Sequence, residues 1–295
     1  MNRQCWLINL RSGDGKGLQL ADQAGEYADV VPLQFERLEE QLRAISGYER
    51  LVIAGGDGTF SSVLTSMACP DIPAALVPIG TANDLTRDLG TFRLFRGSSV
   101  REIVRSIDAL REGHLATWNC LSDGQVHPFC NYLSLGFEGA IVTDFDTWRR
   151  SSPLKNRTLN RLMYVRFALR HLGPRLREMS VAVKGENPLS IPPTRGVLFS
   201  NVRSHMGCGH ATKESTPIDD TIECTVVSSV LDYARMVGSL VGLLPHLTAF
   251  RRGSDLQVYG IPHNTPMQID GEPRPPIIGG ELAIHFRKFV RVLVP

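Results

Sequence analysis

Leu51-Val-Ile-Ala-Gly-Gly-Asp-Gly-Thr-Phe60 decides the fold. Leu51 to Ala54 form a short apolar run of the kind a buried strand needs. Gly55, Gly56 and Gly58 then remove side chains where the backbone must turn sharply, and glycine alone visits φ > 0 without steric cost. Thr59 and Ser61 follow, while Phe60, Val63, Leu64 and Met67 open a helical pattern. The stretch reads strand, glycine turn, helix. Backbone N–H groups at such a turn make a cradle for phosphate. A bare carboxylate repels phosphate, so Asp57 fits only if it handles a metal-bound nucleotide or a hydroxyl that must lose its proton. The plain alternative is an ordinary βα turn with a helix-capping Asp, because glycine motifs alone are weak signals.

A second loop shifts the balance. Ala74-Ala-Leu-Val-Pro-Ile79 is another apolar strand, and it runs into Gly80-Thr-Ala-Asn-Asp-Leu85. Two parallel strands ending side by side would put both loops at the carboxyl edge of one sheet, where open α/β sheets bind ligands. A third glycine-rich turn, Arg11-Ser-Gly-Asp-Gly-Lys-Gly17, follows the strand Trp6–Leu10. It lacks the GxxxxGK[ST] spacing of a P-loop. Lys16 there could meet a phosphate or be a solvated loop lysine.

Outward from these loops the pattern to Gly113 is βαβαβα, which implies a mostly parallel sheet. Strands are expected at Tyr27–Leu33 and the two motif segments, with helices at Glu36–Ile45 and Val100–Leu110. Beyond Gly113 strand-like segments dominate, from His114–Cys120 through His127–Leu135 to Leu282–Phe286, with Gly, Pro, Asn and Asp in the turns. The expected architecture is a Rossmann-like α/β domain over 1–120 and an antiparallel β-sandwich-like domain over 121–287. Residues 288–295, containing Phe289–Val294, are expected to return to the first domain.

Composition narrows the function. The 295 residues allow one large or two ordinary domains, and 42% hydrophobic with 21% charged residues is ordinary for a globular protein. A net charge of +2 argues against a general nucleic-acid binder. Cys5, Cys69, Cys120, Cys130, Cys208 and Cys224 are scattered without a CxxC pair, so neither zinc nor a disulfide framework is expected. The eight histidines show no ligand spacing; His205 and His210 form the one cluster, read as loop. No signal peptide is visible, and the longest run without Asp, Glu, Lys or Arg, Met236–Phe250, has 15 residues where a spanning helix needs about 20. From Arg149 to Arg177 there are nine Lys or Arg and no acid, with Leu162, Val165, Leu169, Leu172 and Leu176 at helical steps broken by Gly173-Pro174. Such a helix either sits on anionic lipid headgroups, each cation contributing about 1 kcal/mol, or packs on the sandwich with a solvated basic face.

GGDGT at 55–59 with GTANDL at 80–85 resembles the diacylglycerol kinase catalytic-domain family, which includes bacterial lipid kinases and the sphingosine and ceramide kinases. Asp270-Gly-Glu272-Pro resembles the family's DGE element. Asn9, Ser12 and Gly13 match its N-P-x-S-G motif, with Leu10 where Pro is usual. The Thr that commonly follows the second strand is replaced by Pro32-Leu33-Gln34. Asn131 and Glu138 resemble an N-x-x-x-x-G-x-D/E strand and would line the cleft or serve structure. The resemblance implies ATP and Mg²⁺ as cofactors, with Asn9, Ser12, Gly55, Gly56, Asp57, Gly58, Thr59, Phe60, Ser61, Thr81 and Asn83 around the nucleotide. It implies Glu272 as proton acceptor and Asp57 as its metal-linked or orienting partner. Asp84 is expected to cap the helix after Gly80. The resemblance also implies a magnesium ion at an L-D-D-G-x-L-like turn, held by Asp220 with the carbonyls of Pro217 and Ile222. Thr221 stands there in place of Gly, which would matter if the turn needs φ > 0.

The expected function is an ATP-dependent lipid kinase acting on a hydroxyl of a diacylglycerol-like lipid. The expected place is the cytoplasm, peripheral at the inner face of the membrane. Expected partners are a lipid acceptor, an anionic membrane surface and, as an option, a second copy of the chain. Two alternatives stand beside it: a nucleotide-binding regulator with reduced catalysis, and an NAD kinase, which shares the GGDGT loop but has a Gly/Thr/Ser-rich second signature absent from this chain.

Overall fold

The computed structural model describes residues 3–295 apart from 14, 81, 153–156, 172–175, 206, 208, 211, 230 and 234–245. Four short apolar segments make its parallel core: β1 (Gln4–Ile8), β2 (Asp29–Pro32), β3 (Arg50–Gly55) and β4 (Ala74–Pro78), in the order β2-β1-β3-β4. Between and after them come α1 (Lys16–Ala24), α2 (Leu38–Ala44), α3 (Asp57–Leu64), α4 (Asp84–Asp88), α5 (Thr91–Phe95) and α6 (Val100–Ala109). Both faces of the sheet are covered, which is why β1, β3 and β4 read as continuous apolar runs. Leu7, Leu51, Ile53 and Leu76 pack with Leu42, Phe60 and Leu64 on one face. Trp6, Ile8, Val52 and Val77 pack with Leu20, Ile103 and Ile107 on the other. The start of α6 carries a full capping box: Ser99 Oγ accepts from Glu102 N, and Ser99 N donates to Glu102 Oε2 at 2.7 Å.

The later half alternates strands with one helical pair. In chain order it holds β5 (Arg111–Ser122), β6 (Gln125–Phe129), β7 (Tyr132–Gly136), α7 (Phe137–Ser151), α8 (Arg157–Arg170), β8 (Ser180–Val183), β9 (Leu189–Ser190), β10 (Gly196–Ser200), β11 (Ser204–His205), β12 (Gly209–His210), β13 (Ile222–Val227), β14 (Arg251–Gly253), β15 (Asp255–Tyr259), β16 (Thr265–Ile269), β17 (Glu272–Ile277) and β18 (Glu281–Val294). An antiparallel sheet runs β14-β13-β10-β7-β16-β17. It lies face to face with β5, β6, β8, β15 and β18. Trp118, Phe129, Val181, Val258 and Ile284 meet Leu133, Leu135, Phe199, Cys224 and Met267 between the two layers. The fold is thus an α/β domain joined to an antiparallel sandwich, as the sequence pattern indicates.

Three features differ from the sequence expectation. Leu282–Phe286 and Phe289–Val294 are one strand, β18, which pairs with β5 from Val294↔Arg111 to Leu282↔Ser122 across a bulge at Arg287. Its end also lies parallel to β4, with Val292 opposite Ala74. Hydrogen bonding is therefore continuous from β2 to β9, and β5 runs through residue 120. Second, α7 starts at Phe137, directly after β7, and α8 packs on it. Phe167 and Ala168 of α8 are buried with Phe137 and Ile141, and Met163 and Tyr164 lean on them. This leaves the stripe Leu162, Val165 and Leu169 outside, at 64%, 55% and 64% exposure. Leu172 and the Gly173-Pro174 break lie outside the described residues, as does most of the Met236–Phe250 run. Third, β17 is a strand the sequence pattern does not announce, because Pro273, Pro275 and Pro276 interrupt it; it forms the edge of its sheet, where Pro is tolerated.

The two glycine loops touch backbone to backbone. Ile79 N and Gly80 N both donate to Gly55 O, at 2.9 and 3.1 Å. A Cβ on Gly80 would stand 2.6 Å from Gly56 Cα. Backbone cannot swing aside as a flexible side chain can. Gly80→Ala should therefore lower stability by roughly 1–3 kcal/mol through overpacking, seen as a lower urea midpoint. Gly47→Ala, where an added methyl meets nothing within 4 Å, is the control; equal midpoints for the two proteins would contradict the contact.

Candidate active site

Asp57 opens α3, yet its carboxylate serves another helix. Oδ2 accepts from Asp84 N at 2.9 Å and Oδ1 from Leu85 N at 3.1 Å, so Asp57 caps α4 and ties the first glycine loop to the second. Both carboxylate oxygens are thereby engaged. Burial, and then the negative charge of Asp84, push its pKa from 3.8 up to about 7 against the pull of the two amides. Asp84 is not the cap that the sequence suggests. Fully buried, its Oδ1 accepts from Ser204 Oγ at 2.8 Å and Gly207 N at 2.7 Å across the domain junction, and its Oδ2 has no donor among the described residues. Asp88, at the other end of α4, accepts from the amides of Arg203 and Ser204. Burial raises Asp88 to about 6. Asn83 takes the left-handed conformation at φ 57, bonds Gly80 O through Nδ2 at 2.7 Å, and leaves its Oδ1 buried beside Gly56 and Gly80 without a donor among the described residues.

The third motif closes on the first. Asp270 and Gly271 both have positive φ, 51 and 80, and form the turn between β16 and β17. Asp270 accepts from Cys130 N at 3.1 Å, from Asn131 N and Tyr132 N at 2.9 Å each, and from Ser61 Oγ. Glu272 projects beyond this anchor toward the glycine loop: a Cβ on Gly58 would stand 3.8 Å from its Oε1. Glu272 is exposed to the junction. Partial desolvation, and then the charge of Asp146, raises its pKa above the ordinary carboxylate value, although Arg149, Arg274 and Arg150 pull it down.

The remaining expected residues separate into those at the loops and those that are not. Asn9 joins the site: Nδ2 donates to Thr59 Oγ1 at 2.9 Å, and Oδ1 holds Arg11 N at 3.1 Å. Ser12 lies in the first turn, its amide bonded to Asn9 O at 3.0 Å. Phe60 lies in the core at 0% exposure, and its amide bonds Gly56 O, so neither group is free for nucleotide. Ser61 spends its hydroxyl on Asp270. Thr81 lies outside the described residues. Asn131 is buried, with its backbone N–H donating to Asp270. His205, expected in a loop, is buried, its Nε2 2.5 Å from Glu138 Oε1 and its ring centroid 4.7 Å from that of Tyr132 at an interplanar angle of 58°. Burial opposes both charges, but each partner outweighs it, so His205 is raised and Glu138 lowered. No spacing rule could have found this pair, since Glu138 on α7 and His205 on β11 meet only in the tertiary fold.

At the expected magnesium turn, Pro217 O accepts from Ala116 N at 2.8 Å, and Asp219 Oδ1 accepts from Thr221 N at 3.0 Å. Thr221 is not among the residues with positive φ, so the turn forms without glycine. Asp220 is exposed. Among the described residues no three His, Cys, Asp or Glu side chains gather as a metal-binding group. One exposed carboxylate with carbonyls would leave most of a magnesium shell to water. Buried acceptor oxygens with no donor among the described residues occur both beside this turn, on Glu223, and at the second glycine loop, on Asn83 and Asp84.

Residues 4–118 match the diacylglycerol kinase catalytic domain and residues 128–273 the diacylglycerol kinase accessory domain. The chain belongs to the diacylglycerol kinase family. Diacylglycerol kinase theta of Mus musculus is 26% identical over 311 residues, covering 90% of this chain and 32% of that protein. Diacylglycerol kinase 2 of Arabidopsis thaliana is 26% identical over 258 residues, 77% of this chain and 36% of that one. The chain thus spans about a third of the length of the curated relatives it matches. Among solved structures, a diacylglycerol kinase from Bacillus anthracis str. Sterne superposes with a TM-score of 0.66 at 14% identity, over 100% of this chain and 97% of that one. Yeast NADH kinase complexed with NADH follows at 0.53 and 13%, over 100% and 84%. At these identities the structures speak for the fold alone.

Asp57 yields a pH prediction. Its folded pKa, about 7, lies above the unfolded value of 3.8, so folding favours the protonated form. That stabilisation is complete below the unfolded pKa and fades as pH rises toward the folded one. Asp88 and Glu223, which burial raises to about 6 and about 7, act in the same direction. The melting temperature of the nucleotide-free protein should fall between pH 5 and 7, and less steeply in Asp57→Asn. An unchanged slope would contradict the burial of this carboxylate.

Proposed function

We propose that the chain is an ATP-dependent lipid kinase that transfers the γ-phosphate to a hydroxyl of a diacylglycerol-like lipid. The observation that carries this is Glu272, a cleft-facing carboxylate held against Gly58 of the phosphate loop by the Asp270 anchor. The nucleotide half would be 1–120 with 288–295, and the lipid half 121–287. The amides of Asp57 and Gly58 precede the first hydrogen-bonded turn of α3 and would face the donor phosphates. Thr59, held by Asn9, would add a hydroxyl donor.

Phosphoryl transfer asks the protein mainly for position and charge. Glu272 would take the proton from the acceptor hydroxyl as its oxygen attacks the γ-phosphorus, with ADP leaving. A raised pKa brings a carboxylate closer to a working base near neutral pH. Asp57 would act as a positioning residue, because both its oxygens already hold α4. Mg²⁺ carried by the nucleotide would neutralise phosphate charge, and Asn83 Oδ1 and Asp84 Oδ2 are the oxygens suited to meet it.

The lipid must be drawn from a membrane surface. Among the described residues no helix is long and apolar enough to cross a membrane. The outer face of α8 carries Leu162, Val165 and Leu169 exposed, with Arg166 and Arg170 exposed beside them. Apolar side chains with cations at their flank suit shallow insertion into an anionic interface.

Two outcomes follow. Glu272→Gln should abolish transfer of label from ATP to lipid while nucleotide affinity stays within about threefold; a base contributes roughly 10²–10⁴-fold in rate. Turnover near that of the parent protein would remove Glu272 as the base. Replacing Leu162, Val165 and Leu169 together by Gln should weaken partition onto anionic vesicles by about tenfold or more. Unchanged partition would assign the stripe no membrane role.

A further inference from the structure

The turn that carries Glu272 is held at two points. Asp270 is fixed by its four donors, and Gly271 by a second side chain, that of Gln268. In a two-residue hairpin turn the middle amide lies outside the strand ladder, so no strand partner takes it. Here Gly271 N donates to Gln268 Oε1 at 2.8 Å. The other end of the same side chain, Nε2, donates to Ser134 Oγ at 2.9 Å. A backbone amide can only donate, so the atom that meets Gly271 N must be the oxygen, and the orientation of Gln268 follows from its partners.

Burial makes this brace stiff. Gln268 is 0% and Ser134 2% exposed, and they stand opposite each other where β16 pairs with β7. Met267 and Ile269 point into the core between the two layers, so alternation turns Gln268 to the other face of its sheet. There α7 lies close: a Cβ on Gly139 would stand 2.7 Å from the carbonyl of Pro266, and Ser134 lines one small cavity with Phe137 and Glu138 of α7. A buried carboxamide that loses a partner has no bulk water to replace it. Glu272 is the next residue after Gly271, and among the described residues its carboxylate has no donor of its own. Its aim is therefore set by the backbone of the turn. A displacement of about 1 Å at a reacting group can cost about 10²-fold in rate. We infer that Gln268, braced by Ser134, is a positioning residue for Glu272: by holding the Gly271 amide it sets the direction in which the carboxylate leaves the turn. This rests on the kinase assignment proposed above.

The test compares the unmodified protein with Gln268→Met, Gln268→Glu and Ser134→Ala, and with Val258→Ala as a core substitution in the sandwich. Transfer from labelled ATP to lipid in mixed micelles gives kcat and KM, and amide hydrogen exchange reads Gly271 in the nucleotide-free protein. Gln268→Met keeps the bulk of the side chain but removes the acceptor. It should lower kcat about tenfold or more, with KM for ATP and for lipid within about twofold. Gly271 should exchange about tenfold faster or more, while Asn131 and Tyr132, whose amides Asp270 holds, keep their rates. Gln268→Glu keeps an acceptor for Gly271 and should recover part of kcat. Ser134→Ala should act in the same direction with a smaller loss, and it carries the test if Gln268→Met does not fold. Val258→Ala should lower the melting temperature and leave kcat as it is. Unchanged exchange at Gly271 would overturn the brace. Faster exchange with kcat unchanged, or an equal loss of kcat in Val258→Ala, would overturn the positioning role and leave Gln268 as structure only. No label in any lipid from the unmodified protein would instead sink the kinase assignment, and the positioning role with it, while exchange at Gly271 would still decide the brace.

Discussion

The structure depends on a buried carboxylate, that of Asp270, satisfied by four donors. A carboxylate removed from water is strongly destabilising unless hydrogen bonds replace its hydration. Three amides at 130–132 and the hydroxyl of Ser61 do so here. The bonds join the start of the sandwich to α3 of the α/β domain. They also fix a two-residue turn with positive φ at both positions, the geometry favoured in tight hairpins. Beyond that turn the chain has little choice about where Glu272 goes. The same dipeptide is thus a hairpin turn and the anchor of a candidate base.

Around this anchor the acidic residues of the junction divide by partner. Asp57 holds the amides of α4, Asp84 holds Ser204 and Gly207, and Asp88 holds the amides at 203 and 204. Glu138 holds His205. Each is consumed in bringing two loops together, and each removes an orphan donor that burial would otherwise penalise by about 1–3 kcal/mol. Glu272 differs by having no hydrogen-bond donor fixed on it among the described residues and by facing the loop. That contrast, rather than acidity as such, separates the group suited to proton transfer from those that give the cleft its shape.

Much of the fold was legible in the sequence, because β3 and β4 are apolar runs ended by glycine and α6 has one apolar face. The two glycine loops were legible for the same reason. The roles of individual acids were not. Asp57 looked like a ligand of metal or hydroxyl, and Asp84 like a cap, whereas the structure gives the cap to Asp57. A carboxylate's role is set by donors that lie far along the chain, and periodicity carries no trace of them. Phe60 shows the same limit: it sits within the glycine motif, but helical geometry turns it into the core. The stripe on α8 was visible as a pattern of Leu and Val. Which face would pack depended on Phe167 and Ala168, and only the partner surface on α7 decides that. The length of β18 was hidden by the bulge at Arg287, which breaks the alternation into two apparent strands.

The central claim is that the cleft between these halves moves phosphate from a nucleotide to a lipid hydroxyl. It is tested most directly by incubating the protein with γ-labelled ATP, Mg²⁺ and mixed micelles of candidate lipids, with NAD in the same vessel. The account predicts label in a lipid and none in NAD. Label in NAD would contradict it, as would ATP bound tightly with no label transferred to any lipid.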